Sequence, residues 1–162
     1  MKIDKRRRIE GRTDYKRRLI LLKSNLPRLV VRKSNKYISL QIVETKSAQD
    51  HIVSSVNTKY LLNFGWPEKN TGSLKSLTAA YLAGFLLGKK TKLDRDLILD
   101  IGLSPSTKAN RIYAAVKGVS DSGLKIKFDK EIVPTLEQIE SNSNLDKAEF
   151  NKIKEKINHD AK

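Results

Sequence analysis

Residues 37–44 read Tyr-Ile-Ser-Leu-Gln-Ile-Val-Glu, and their alternation decides the fold class. Ile38, Leu40 and Ile42 fall on one side of an extended chain, with Tyr37, Ser39 and Gln41 on the other. That is the period of a strand with one buried and one polar face. Toward the N-terminus, Arg28 to Lys33 encloses Leu29, Val30 and Val31, and the intervening Ser34-Asn35-Lys36 has turn chemistry. Toward the C-terminus, Lys46 to Asp50 makes a further turn before a third strand, Ile52 to Val56. Three strands joined by short turns form an antiparallel meander.

Beyond the meander the period changes. Thr58 to Phe64 reads as a helical turn closed by Gly65-Trp66-Pro67, and Glu68 to Ser73 as a polar loop. Leu77 to Lys90 is apolar nearly all round, which requires a helix buried against a sheet. Gly84 and Gly88, four apart, admit a close neighbour. Leu97 to Ile101 is a short buried strand, and Gly102 to Ala109 a loop. Asn110 then caps a second helix that Gly123 ends. The expected fold is α/β: a two-layer sandwich whose mixed sheet, the meander plus one further strand, is packed by two main helices.

The flanks differ from this centre. Residues 1–12 read as an extended basic arm, 13–124 as the globular domain and 125–162 as a C-terminal extension. Thr13 is the expected cap of a helix from Asp14 to Lys23. Pro134 to Asn144 reads as loose chain, with Ser143 and Asp146 a candidate capping box. Phe150, Ile153 and Ile157 form the apolar stripe of a short helix expected to be partly detached.

Charge is concentrated at the start. Fourteen of the 33 lysines and arginines fall in the first 36 residues against three acids, whereas the last 38 residues are neutral. Lys5, Arg6, Arg7, Arg8, Arg12, Arg17 and Arg18 continue through Arg28, Arg32, Lys33 and Lys36 into the strands. A track of that length calls for a dense field of negative charge, which nucleic acid supplies. Arginine outnumbers lysine in the arm, which favours bidentate phosphate contacts. A solvated charge run or a localisation signal is the plain alternative for a basic tetrapeptide, and the continuation into the strands speaks against it. Beside the arm, Tyr15 and Tyr37 are stacking candidates, and Ser34, Asn35, Ser39 and Gln41 could reach sugar hydroxyls. Lys108 and Arg111, at the entry to the last core helix, form a weaker second patch where helix N-termini favour phosphate.

Other chemistry finds less support. With no cysteine and two distant histidines, His51 and His159, thiolate zinc sites and a catalytic nucleophile set cannot be assembled. Asp94, Asp96 and Asp100 could hold magnesium for phosphoryl chemistry, so a magnesium-dependent nuclease is one competing reading. A non-specific DNA-binding basic protein is another. The most apolar run, Leu77 to Leu87, has 11 residues, against roughly 20 for a membrane span. A soluble, cytoplasmic protein without cofactor is expected.

Several stretches together resemble one family. Arg6-Arg7-Arg8-Ile9-Glu10-Gly11-Arg12-Thr13-Asp14-Tyr15, then Pro27-Arg28-Leu29-Val30-Val31-Arg32-Lys33-Ser34-Asn35-Lys36, is similar to the archaeal form of the ribosomal protein "L eighteen" family. Gln41-Ile42-Val43, Tyr81-Leu82 with Gly84, Leu99-Asp100-Ile101-Gly102-Leu103, Thr107-Lys108, Arg111 and Lys117-Gly118 continue it in order, over about residues 5 to 124. The resemblance implies a non-enzymatic constituent of the large ribosomal subunit that binds 5S rRNA in the central protuberance. It also implies contacts with large-subunit rRNA and neighbouring ribosomal proteins.

Overall fold

The structure is a computed structural model and describes residues 5–47, 49–129, 131–141 and 145–160. Its sheet has four strands, β1 (Arg28–Lys33), β2 (Ile38–Lys46), β3 (Gln49–Asn57) and β4 (Ile98–Asp100), in the order β3-β2-β1-β4. The first three pair antiparallel as a meander, and β4 joins β1 in parallel, with Val30 opposite Asp100. The expected mixed α/β sheet is present. Ser34 closes the first turn: its hydroxyl donates to the Tyr37 carbonyl at 2.8 Å and accepts the Tyr37 amide at 3.0 Å. A β-bulge at Ile42/Val43 ends the simple alternation of β2, and both residues are buried.

One face of the sheet carries Leu29, Val31, Ile38, Leu40, Ile42 and Val56 into the core. Helices α3 (Leu77–Lys90) and α4 (Arg111–Asp121) cover that face. Ser76 caps α3 by accepting the Ala79 amide. Eleven of its residues are buried because β2 and β3, α4 and the C-terminal helices surround it. α3 and α4 run parallel: Gly84 meets Ala115, and one turn on Gly88 meets Val119 and Ser122. From the other side Gly118 meets the Tyr81 carbonyl, so any Cβ at Gly84 or Gly118 would collide with backbone. Asn110 stands at the N-cap position of α4, but its side chain donates to the Pro105 carbonyl and makes no cap bond.

The flanks depart from expectation at several points. The arm is not extended throughout, since Arg6–Ile9 forms a single helical turn, α1. Asp14, not Thr13, caps α2 (Tyr15–Lys23), accepting the Arg17 amide at 3.1 Å. Thr13 instead accepts from Arg7 Nε at 3.0 Å. Glu68–Ser73 is not an irregular loop but 3-10 helix. Leu136–Ser141, expected to be loose, is a short helix, α5, that buries Ile139 completely. It starts with a reciprocal cap, the Gln138 amide donating to Thr135 Oγ1 and the Thr135 amide to Gln138 Oε1. The expected capping box at Ser143 lies outside the described residues.

Nor is the last helix, α6 (Lys147–Asp160), detached. Phe150, Ile153 and Ile157 are buried, and the Phe150 ring lies 5.8 Å from that of Tyr81. Fully burying such side chains contributes about 1.5–3 kcal/mol each, enough to hold a two-sided helix to the core. Among the described residues no helix is long and apolar enough to cross a membrane.

Candidate nucleic-acid interface

The face of the sheet opposite α3 and α4 is polar. Register places Arg32, Ser39 and Asn57 in one row across three strands, and Asp100, Val30, Gln41 and Ser55 in the next. α2 lies at the edge of this face. It buries none of its residues, and clefts of about 460 and 480 Å³ open against it.

The larger cleft gathers much of the basic track. Arg7, Arg12, Arg17 and Arg18 come from the arm and α2, Arg32 and Lys33 from the end of β1, and Gly102 to Ser104 from the loop after β4. Cations thus stand on walls supplied by segments far apart in sequence. Their charges are not equivalent. Glu10 accepts from Arg6 at 2.7 Å and pairs with Arg12 at 3.1 Å. Among the described residues, Arg7 Nε donates to the neutral Thr13 hydroxyl at 3.0 Å. Arg17 and Lys33 have no acidic partner among the described residues, so each presents a full charge to solvent.

Beneath the cleft lies a network of alternating charge. Arg18 Nη2 meets Asp50 Oδ2 at 2.8 Å, and Asp50 Oδ1 meets Arg28 Nη2 at 2.8 Å. Arg28 Nη1 meets Asp100 Oδ2 at 3.2 Å, and Asp100 Oδ1 meets Arg32 Nη2 at 2.8 Å. The Thr45 hydroxyl donates to Asp50, the Gly102 amide to Asp100, and Arg32 Nη1 to the Asp100 carbonyl. Burial disfavours the Asp50 carboxylate, but Thr45, Arg28 and Arg18 outweigh that and lower its pKa. Asp100 behaves alike: burial raises its pKa, while Arg32, the Gly102 amide and Arg28 bring it below the usual value.

This network corrects two readings. Arg28 is only 3% exposed, so it is not a surface member of the basic track but the centre of the framework beneath it. Asp100 is held by two guanidiniums and is not poised to hold magnesium. Asp96 pairs with Lys127, and no metal-holding group of acids forms among the described residues. Sequence reasoning missed Asp50 altogether. The available signal was an acid at the turn into the third strand of a meander whose first strand and turn carry Arg28, Arg32, Lys33 and Lys36.

The other expected positions divide. Lys5 at the start of α1, and Arg6 and Arg8 on it, are exposed outside the cleft lining, and Asn35 and Lys36 are exposed at the β1–β2 turn. Tyr15 is half-buried, with Lys5 Nζ 5.0 Å from its ring centroid. Tyr37 is half-buried and packs against the core, which leaves less of its ring for stacking. The Ser34 hydroxyl is committed to its turn. Lys108 and Arg111 line a separate recess with Asn110 and Ser76, where the starts of the parallel helices α3 and α4 meet.

Comparison with known proteins finds relatives among large-subunit ribosomal proteins. Residues 1–98 and 89–129 match the family described as ribosomal large subunit proteins 60S L5 and 50S L18. The large ribosomal subunit protein uL18 of Korarchaeum cryptofilum is 44% identical over 140 residues, spanning 85% of this chain and 70% of the relative. That of Methanococcoides burtonii is 41% identical over 166 aligned positions, spanning 96% of this chain and 93% of the relative. That of Aeropyrum pernix is 39% identical over 137, spanning 83% and 62%.

Proposed function

The chain belongs to the uL18 family of large ribosomal subunit proteins, and from that premise we propose that its arm and sheet edge bind 5S rRNA. In this reading it helps attach 5S rRNA to large-subunit rRNA in the central protuberance, beside neighbouring ribosomal proteins. As a member of this family the chain is a structural constituent of the ribosome and not an enzyme.

The observation that carries the reading is the two-walled cleft, with Arg7 and Arg17 facing the Arg32–Lys33 end of β1. Arg17 on one wall and Lys33 on the other, neither with an acidic partner among the described residues, attract a phosphodiester backbone, and each contact releases counterions. Lys5, Arg6, Arg8 and Arg12 extend the phosphate track along the arm. Ser39, Gln41, Ser55 and Asn57 add neutral donors and acceptors beside it, which suit ribose hydroxyls and so favour RNA over DNA. Asn35 and Lys36 continue the edge, Tyr15 is the better stacking candidate, and Lys108 with Arg111 forms a second, smaller phosphate contact.

Competition separates this reading from a generic basic protein. Labelled 5S rRNA bound to the full chain should be displaced by unlabelled 5S rRNA far more readily than by duplex DNA or an unrelated RNA of equal length. Equal displacement by duplex DNA would assign the chain to non-specific polyanion binding instead.

A further inference from the structure

Helix α2 carries Arg17 and Arg18 to the rim of the basic cleft, yet it has no fully buried apolar anchor. Leu19 and Ile20 are 55% and 69% exposed, and Leu21 and Leu22 are only partly buried. Propensity cannot fix its position either, because an isolated helix of nine residues is marginal in water. The polar contact that ties it to the sheet is that of Arg18 with Asp50, the second residue of β3. Asp50 is itself immobilised by Thr45 and by the buried Arg28, which Asp100 holds from the other side.

We infer that Asp50 is a positioning residue for RNA binding: an acid that holds the cationic helix α2 at the angle where its arginines and the end of β1 can engage one RNA backbone. The inference rests on the rRNA-binding reading above and adds to it a role that charge counting assigns the opposite sign. An acid under an RNA-binding surface should weaken binding by repulsion. Here it raises affinity, because three guanidiniums (Arg18, Arg28 and Arg32) share two carboxylates, and the assembly stays positive while it becomes rigid. Rigidity matters because apparent affinity scales with the fraction of molecules already in the competent geometry.

The test is Asp50→Asn in the full chain, with Asp94→Asn as the control. Both substitutions remove one negative charge, but exposed Asp94 lies outside the network. Hydrogen exchange of the free protein should accelerate across Tyr15–Lys23 in Asp50→Asn and stay unchanged across Leu77–Lys90. Affinity for 5S rRNA should fall about three- to tenfold, the loss expected if most molecules leave the docked geometry, while Asp94→Asn binds as tightly as the parent or more so. Unchanged exchange in α2, or affinity at or above that of the parent, overturns the inference. Should Asp50→Asn fail to fold, Arg18→Gln cuts the same tie and leaves the Arg28–Asp100 pair intact. Its α2 exchange must then accelerate, and unchanged exchange again overturns the inference. A parent chain that does not bind 5S rRNA would defeat the functional reading alone, since exchange in the free protein still decides whether Asp50 docks the helix.

Discussion

Arg28 and Asp100, 72 residues apart in sequence, meet at 3.2 Å beneath the open face of the sheet, both nearly excluded from water. The parallel pairing of β1 with β4 makes the contact, placing Asp100 opposite Val30 and so between Arg28 and Arg32. Removing Arg28 takes a guanidinium from two carboxylates at once, leaving Asp50 to Arg18 and Asp100 to Arg32. Arg28→Ala should cost up to about 3–5 kcal/mol, the range for breaking a buried ion pair by deleting one partner. Urea unfolding of the purified variant measures it, and a loss within experimental error would mean that the network is not a structural element.

The same network sets an acid limit. Asp50 and Asp100 both have folded-state pKa values below the ordinary 3.8. A depressed pKa contributes stability that is complete above the unfolded value and is lost as pH falls through the folded one. Unfolding free energy should therefore be flat in these two groups near neutrality and decline below about pH 4. In an Asp50→Asn, Asp100→Asn double variant that acid dependence should be visibly shallower than in the parent.

Gly84 and Gly118 interlock α3 with α4 backbone to backbone. Gly84→Ala should destabilise by about 1–3 kcal/mol or more, since the collision is with a main-chain carbonyl that cannot rotate away. Gly72→Ala, where a Cβ meets nothing, is the matched control. Thermal unfolding of the two variants should separate them clearly.

Docking of the last helix is equally open to test. Ile157 is fully buried on α6, so Ile157→Ala should cost about 2–5 kcal/mol. A helix that merely trailed from the domain would tolerate the change with little shift in its unfolding midpoint.

These features were unequally legible in the sequence. The strands were readable because Ile38, Leu40 and Ile42 alternate with polar residues, and the α3–α4 contact because Gly84 and Gly88 recur at one helical turn. The cap of α2 was not, since Thr13 and Asp14 are adjacent and both suit that position; the choice depends on Arg7 occupying Thr13. α5 was hidden because one residue, Ile139, supplies its buried anchor. The stripe on α6 was visible, but not the partner surface around Tyr81 that receives it. For the site, the basic track could be counted directly. Which cations face outward depended on acids 22 and 72 residues beyond Arg28, and only the register of β1 with β4 and the β2–β3 hairpin brings those together.

The central claim is that the arm and the end of β1 bind 5S rRNA largely through phosphates, and a salt series tests it most directly. Equilibrium binding of 5S rRNA should be measured between 50 and 200 mM monovalent salt for the full chain and for a chain lacking residues 1–12. If the full chain makes about 6–10 phosphate contacts, its affinity should fall by about 10³–10⁵ across that range, taking the duplex-DNA relation as a guide. The shortened chain should bind more weakly, and its logarithmic slope should be shallower by about one for each phosphate contact removed. A slope and affinity unchanged by loss of the arm would contradict the account.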